Sequence, residues 1–186
     1  MQQNSLIRKG YGKPELLAPA GSPEKLEYAI AYGADAVYLS GKEYGLRQAA
    51  GNFTLEEMVE AVKLARQKGK KIYVAVNVFM KNEDVAGLAR YLKTLKGLEV
   101  DAIIVTDPGI LRLAREHAPQ LPVHLSTQAN TLNIESVHFW NNAGVTRVSL
   151  ARELTFREIE EITAAAEVEV EVFVHGAMCI AYSGRW

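Results

Sequence analysis

Cysteine is nearly absent from this chain. Cys179 is the only one among 186 residues, so no internal disulfide can form, which agrees with a reducing compartment. One thiolate is too few for an iron–sulfur cluster, which normally takes four, and the zinc-ligand spacings are missing. Long hydrophobic runs are missing too; none approaches the roughly 18 apolar residues of a membrane helix. Residues 1–12 are polar, without the apolar stretch of a signal peptide. They read as a flexible N-terminal segment, and the expected location is cytoplasmic, with no membrane partner. Excess charge of either sign is absent. The 21 basic and 22 acidic residues leave a net −1, which gives no whole-chain footprint for nucleic acid but leaves a local basic patch open.

What is present is a repeating pattern. With 48% hydrophobic residues the chain is long enough for one sizeable core. Short β-rich runs fall at Glu15–Pro19, Ala36–Ser40, Lys71–Phe79, Ala102–Thr106, Val123–Ser126, Arg147–Leu150 and Glu169–Val174. Between them lie helical stretches at Pro23–Tyr32, Leu55–Lys68, Asp84–Lys96, Gly109–His117, Ile134–Asn142 and Phe156–Ala166. Met58, Val59, Val62, Leu64 and Ala65 keep the 3.6-residue period of one buried face. Thr54 with Glu57 three residues on forms a capping box, and Gly33, Gly69, Gly97 and Gly144 stand just past helix ends. Each crossover helix imposes parallel pairing. Seven strands, six helices and no glycine-rich dinucleotide loop after the first strand favour an incomplete (β/α)8 TIM-barrel-like α/β fold over residues 13–186, one strand and about two helices short. Such a barrel has two open sheet edges, and a second copy or a partner subunit is expected to cover them.

In a barrel the chemistry sits where the strands end. Asn77, Asp107, the run Ser126-Thr-Gln128-Ala-Asn130, Arg152-Glu153, and His175 with Cys179 all fall there, and Tyr44 and Arg47 lie on the loop after the second strand. An amide on an apolar strand needs a partner if buried, so Asn77 and Gln128 suit a substrate carbonyl or a base edge. Asp107-Pro108 either starts a helix or supplies a catalytic carboxylate. Arg152 and Glu153 form a rim ion pair, or Arg152 is a fork for carboxylate or phosphate, a role open to Arg47 as well. His175 is the histidine placed to act as base or ligand; His117 and His138 fall on helices, and His124 reads as a packing residue. Cys179 is either a small buried hydrophobe or a nucleophile or metal ligand.

The segment Glu171-x-Phe173-x-x-Gly176-Ala177-Met178-Cys179-x-x-x-x-Gly184 resembles the signature of the collagenase-like proteins, peptidase family U32. Lys13-Pro-Glu-Leu-Leu-Ala-Pro-Ala-Gly21, Tyr73-x-x-x-Asn77, Ser126-x-Gln128-Ala-Asn130 and Leu150-x-Arg152-Glu153 extend the likeness from Lys13 to Arg185. It is nearest the bacterial branch that hydroxylates wobble uridine in tRNA with prephenate. The resemblance implies an enzyme with a barrel-like N-terminal domain, a further C-terminal region, and a [4Fe-4S] cluster held by four cysteines in the full-length parent. Cys179 matches the first of these; the next would stand at position 186, where this chain has Trp186. No cofactor is therefore expected on this chain alone. The implied partners are tRNA and prephenate, with Arg47, Asn77, Gln128, Asn130, Arg152 and Glu153 binding substrate and His175, Cys179 and Asp107 as catalytic candidates. Two other readings stay open: a peptidase with a Cys/His site, as the family label has it, and a non-catalytic fragment or partner subunit.

Overall fold

The computed structural model describes residues 12–45, 51–176 and 181–184. Arg47, Cys179 and Trp186 lie outside them. In chain order the elements are β1 (Leu17–Pro19), α1 (Pro23–Ala31), β2 (Ala36–Ser40), α2 (Leu55–Gln67), β3 (Lys71–Val76), α3 (Asn82–Gly97), β4 (Ala102–Val105), α4 (Pro108–His117), β5 (Val123–Leu125), a 3₁₀ turn (Thr127–Ala129), α5 (Ile134–Asn142), β6 (Arg147–Ser149), α6 (Phe156–Ala165) and β7 (Glu169–Glu171). The strands pair in parallel in simple sequence order, from β1 at one end of the sheet to β7 at the other. A doubly wound sheet would reverse its order at a switch point. An unbroken one-to-seven order with a helix after each of the first six strands is that of an incomplete (β/α) barrel.

Alternation along the strands builds two layers. Val37, Leu39, Ile72, Val74, Val76, Ile103, Val105, Leu125 and Val148 face the helices and join the main core. Ala36, Tyr73, Ala102 and Ile104 face the barrel axis as a separate small cluster. Local signals start the helices. Thr54 Oγ1 accepts from Glu57 N–H at 3.1 Å while Glu57 Oε2 accepts from Thr54 N–H at 2.8 Å, the reciprocal box read from the sequence. Thr155 and Glu158 repeat it at α6. Among the described residues no helix is long and apolar enough to cross a membrane.

Several strands stop earlier than their apolar runs suggest. β3 ends at Val76 because the N–H groups of Asn77 and Val78 both turn to the carbonyl of Tyr44, at 3.2 Å each. β7 ends at Glu171, whose carbonyl accepts the N–H of Leu150 just past the end of β6. Beyond it Phe173 and Val174 are 53% and 82% exposed. β1 starts at Leu17, not Glu15.

Candidate functional site

The C-terminal strand ends converge on one carboxamide. Gln128 sits in the 3₁₀ turn after β5, and its Oε1 accepts from Asn77 Nδ2 at 2.9 Å, Thr106 Oγ1 at 3.1 Å and Ser126 Oγ at 3.3 Å. Three strand ends, β3, β4 and β5, thus hold one side chain. The turn itself is tied down: Thr127 Oγ1 donates to the carbonyl of Leu150 at 3.0 Å, and Ser126 N–H donates to Val105 at 2.8 Å. The other half of the amide is unused. Gln128 Nε2 is sealed from solvent and has no hydrogen-bond partner among the described residues, and the same holds for Asn130 Oδ1, two residues on. Leaving one buried polar group unpaired costs roughly 1–3 kcal/mol, and such orphans call for an explanation. Asn130 closes the turn in the left-handed region, at φ 54°, which Asn tolerates better than most residues.

Tyr44 forms the neighbouring rim. It holds φ 60°, a conformation costly for a bulky side chain, and surrounding contacts over-determine it. Its carbonyl takes two N–H groups from the end of β3, its ring packs on Tyr91 with centroids 5.0 Å apart, and its hydroxyl donates to Asp84 O at 3.4 Å.

Arg152 and Glu153, just past β6, clasp the chain where it returns after β7. The Arg152 N–H and Nε–H both donate to Ser183 Oγ, at 3.2 and 3.3 Å, and Nη2 reaches the carbonyl of Ala181 at 3.5 Å. Glu153 Oε1 accepts the Ser183 N–H at 2.7 Å. Burial pushes the Glu153 carboxyl upward, but the hydrogen bonds from Ser183, with its own backbone N–H and the Arg152 charge, together hold the group below its ordinary value. Among the described residues no ion pair joins Arg152 to Glu153; both turn to Ser183, which is 0% exposed. Gly184 completes the clasp at φ 76°, and a Cβ there would stand 2.2 Å from the Gln128 carbonyl oxygen. The tail of the signature therefore rests directly on the turn that carries Gln128.

The other sequence candidates are placed as follows. Asp107 caps α4, with Oδ1 accepting from the N–H groups of Gly109 at 2.6 Å and Ile110 at 3.2 Å. His175 is exposed and precedes Gly176, at φ 138°. Arg47 and Cys179 lie outside the described residues. Among the described residues no group of three His, Cys, Asp or Glu is arranged to hold a metal.

The opposite end of the barrel holds an ionic network that the strand-end reading passed over. Arg147, 7% exposed, donates to Glu15 at 2.7 Å and to Glu169 at 2.6 and 2.7 Å, and stands 3.8 Å from Glu171. Lys71 and Tyr73 also reach Glu15, each at 2.7 Å. Burial raises Glu15, but the bonds from Lys71, Tyr73 and Arg147 more than offset it and hold its carboxyl low, whereas burial pushes Glu171 up. His124 meets Tyr73 edge-on at 4.6 Å, and burial, aided by Arg147, drives its imidazole down to about 3. The signal was present: Arg147-Val-Ser149 and Glu169-Val-Glu171 alternate polar and apolar, which turns their charges to the barrel axis. A cavity of about 530 Å³ opens here, lined by Tyr73, His124, Arg147 and Glu169 among others. It lies at the strand starts, away from the mouth where barrel chemistry is built.

This geometry defines a parallel, barrel-type α/β protein with a polar mouth organised around Gln128. The family model described as "Peptidase family U32" matches residues 21–186, and the chain belongs to that family. It is 54% identical over 173 residues to tRNA hydroxylation protein P1 of Bacillus subtilis (strain 168), covering 93% of this chain and 41% of that protein. It is 48% identical over 174 residues to tRNA hydroxylation protein P of Escherichia coli (strain K12), covering 93% and 38%. The chain thus spans about two-fifths of the length of these relatives. Among solved structures, the U32 peptidase Mk0906 superposes with a TM-score of 0.72 at 19% identity, over 89% of this chain and 70% of that one, a likeness of fold.

Proposed function

We propose that this chain is the barrel portion of a tRNA-modifying enzyme that supports 5-hydroxylation of wobble uridine. The observation that carries the reading is 54% and 48% identity, over nearly the whole chain, to two proteins named for tRNA hydroxylation. The mouth agrees with it. A nucleotide extruded from the anticodon loop needs a pocket that hydrogen-bonds its base edge, and the mouth offers a fixed amide whose donor has no partner among the described residues. Prephenate, an acidic small molecule, is the oxygen donor that the family resemblance implies, and the Arg152 guanidinium at the rim is of the type that binds carboxylates. Replacing C5–H by C5–OH is a two-electron change that needs an oxygen donor and an electron acceptor. The residues described here bind and orient; they supply neither. A four-thiolate cluster requires three cysteines beyond those in these 186 residues, so no step is assigned to one.

A peptidase reading has less support. Among the described residues no Ser–His–carboxylate arrangement forms: Ser183 is buried in the clasp, Asp107 caps a helix and His175 stands exposed; Cys179, the nucleophile of a Cys/His site, lies outside them. The test is mass spectrometry of tRNA nucleosides from cells lacking the gene, then complemented with the natural full-length protein. Loss and return of 5-hydroxyuridine derivatives supports the proposal. Nucleosides unchanged by deletion refute it.

A further inference from the structure

We propose that Gln128 is the residue that selects the base: its Nε2 donates to the C4 carbonyl of the extruded uracil. The inference rests on the tRNA uridine reading above and adds to it a specific atom and contact.

The argument starts from how the side chain is held. A free carboxamide rotates. Here Asn77 Nδ2, Thr106 Oγ1 and Ser126 Oγ all address Oε1, and three contacts on one end fix the rotation. The backbone is fixed as well: the Gln128 N–H donates to Ser126 Oγ at 3.3 Å, and Gly184 packs against the Gln128 carbonyl so closely that a side chain there has no room. So much restraint leaves Nε2 as a donor shielded from water, with no partner among the described residues. In a shielded site a single hydrogen bond discriminates more strongly than in water.

The class of ligand follows from the second orphan. Asn130 Oδ1, on the same turn, is a shielded acceptor without a partner among the described residues. A donor and an acceptor carried on one turn match the C4 carbonyl and N3–H of uracil. A carboxylate offers acceptors only: it would satisfy Gln128 and be repelled by Asn130. The pair therefore suits the base rather than the acidic oxygen donor. The C4 carbonyl also adjoins C5, so a donor fixed on it sets the position of the carbon to be hydroxylated.

The experiment measures binding of the natural full-length protein to two anticodon stem-loop RNAs. One carries uridine at the wobble position. The other carries the 2-pyrimidinone riboside, which lacks the C4 oxygen and the N3 hydrogen. The wild type is expected to prefer uridine about tenfold, the size of one well-formed shielded hydrogen bond. Gln128→Glu keeps an acceptor for Asn77, Thr106 and Ser126 and removes the amide donor; it is expected to shrink the preference by about threefold or more, leaving the share that Asn130 contributes through N3–H. Gln128→Met, with no donor under any protonation state, should do the same. Wild-type binding without preference, or a variant that keeps the preference and melts like the wild type, overturns the assignment and leaves the tRNA reading standing. Failure of the wild type to bind either RNA overturns both.

Discussion

Asn77 and Gln128, 51 residues apart in sequence, meet at 2.9 Å across the mouth of the barrel, the Asn77 amide donating to the Gln128 carbonyl oxygen. The pair links the end of β3 to the turn after β5 and sets the direction of Gln128 Nε2, which has no partner among the described residues. Replacing Asn77 by Leu removes that donor from a part-buried site. It is expected to destabilise the fold by about 1–2 kcal/mol and to lower tRNA hydroxylation more than stability alone accounts for. Urea midpoints and nucleoside mass spectrometry on the same variant check both parts; full modification at reduced stability would separate the pair from function.

The clasp gives a second expectation. Gly184→Ala forces a Cβ against the Gln128 carbonyl and strains a left-handed backbone. The returning segment should detach locally, so limited proteolysis near residues 181–184 should quicken while the main melting transition moves little. Glu153→Gln keeps an acceptor for the Ser183 N–H and is expected to behave more mildly than Glu153→Ala. Equal cleavage rates in all three and the wild type would mean that the clasp restrains nothing.

At the opposite end, Arg147 neutralises a site shared by Glu15, Glu169 and Glu171. Arg147→Met should cost about 3–5 kcal/mol, because partly buried carboxylates lose their counter-ion. Lysine should rescue only part of this, since one ammonium cannot address Glu15 and Glu169 as a planar fork does while also lying 5.1 Å over the Tyr73 ring. Thermal denaturation orders the three proteins; a methionine variant as stable as wild type would contradict the network's role.

His124 predicts a pH dependence. Its imidazole stays neutral in the folded state down to about 3, whereas in the unfolded chain it takes a proton near its ordinary 6.5. Above about pH 6.5 both states are neutral and the group has no effect on the slope. Below it the unfolded state binds the extra proton, so stability falls by up to about 1.4 kcal/mol per pH unit between about 6.5 and 3. Glu171, whose carboxyl is raised by burial, works in the opposite sense: the folded state takes its proton first as pH falls. His124→Phe keeps an aromatic edge for Tyr73 and removes only the histidine's part. Denaturant midpoints at pH 7 and pH 5 should therefore converge for the variant relative to the wild type. An unchanged acid slope would mean that the imidazole is not held neutral.

How much of this was legible in the sequence depended on range. The order of strands and helices was written in local periodicity, and the Thr54–Glu57 box in two residues three apart. Asn77 could be singled out because an amide at the end of an apolar strand is a local anomaly, and Gln128 because it stands where a strand ends. Their contact with each other was not legible, since it depends on parallel strands being brought side by side. The clasp is similar. Arg152 and Glu153 read locally as an ion pair, or Arg152 as an anion fork, yet both partner Ser183, some 30 residues later. The 3₁₀ turn escaped notice because Thr127-Gln-Ala129 has no periodicity in three residues. Asp107-Pro108 left a cap and a catalytic carboxylate equally open, and the two N–H groups on its oxygen show the cap.

The central claim is that the mouth around Gln128 receives the wobble uridine. The most direct measurement places 4-thiouridine at that position in the tRNA, irradiates the complex with the natural full-length protein, and maps the crosslinked peptides by mass spectrometry. The account predicts crosslinks within residues 126–131, the turn of Gln128 and Asn130, or in the adjoining strand ends near Asn77 and Arg152. Crosslinks confined to the strand starts, around Tyr73, His124 and Glu169, would contradict it and move the site to the cavity at the other end of the barrel.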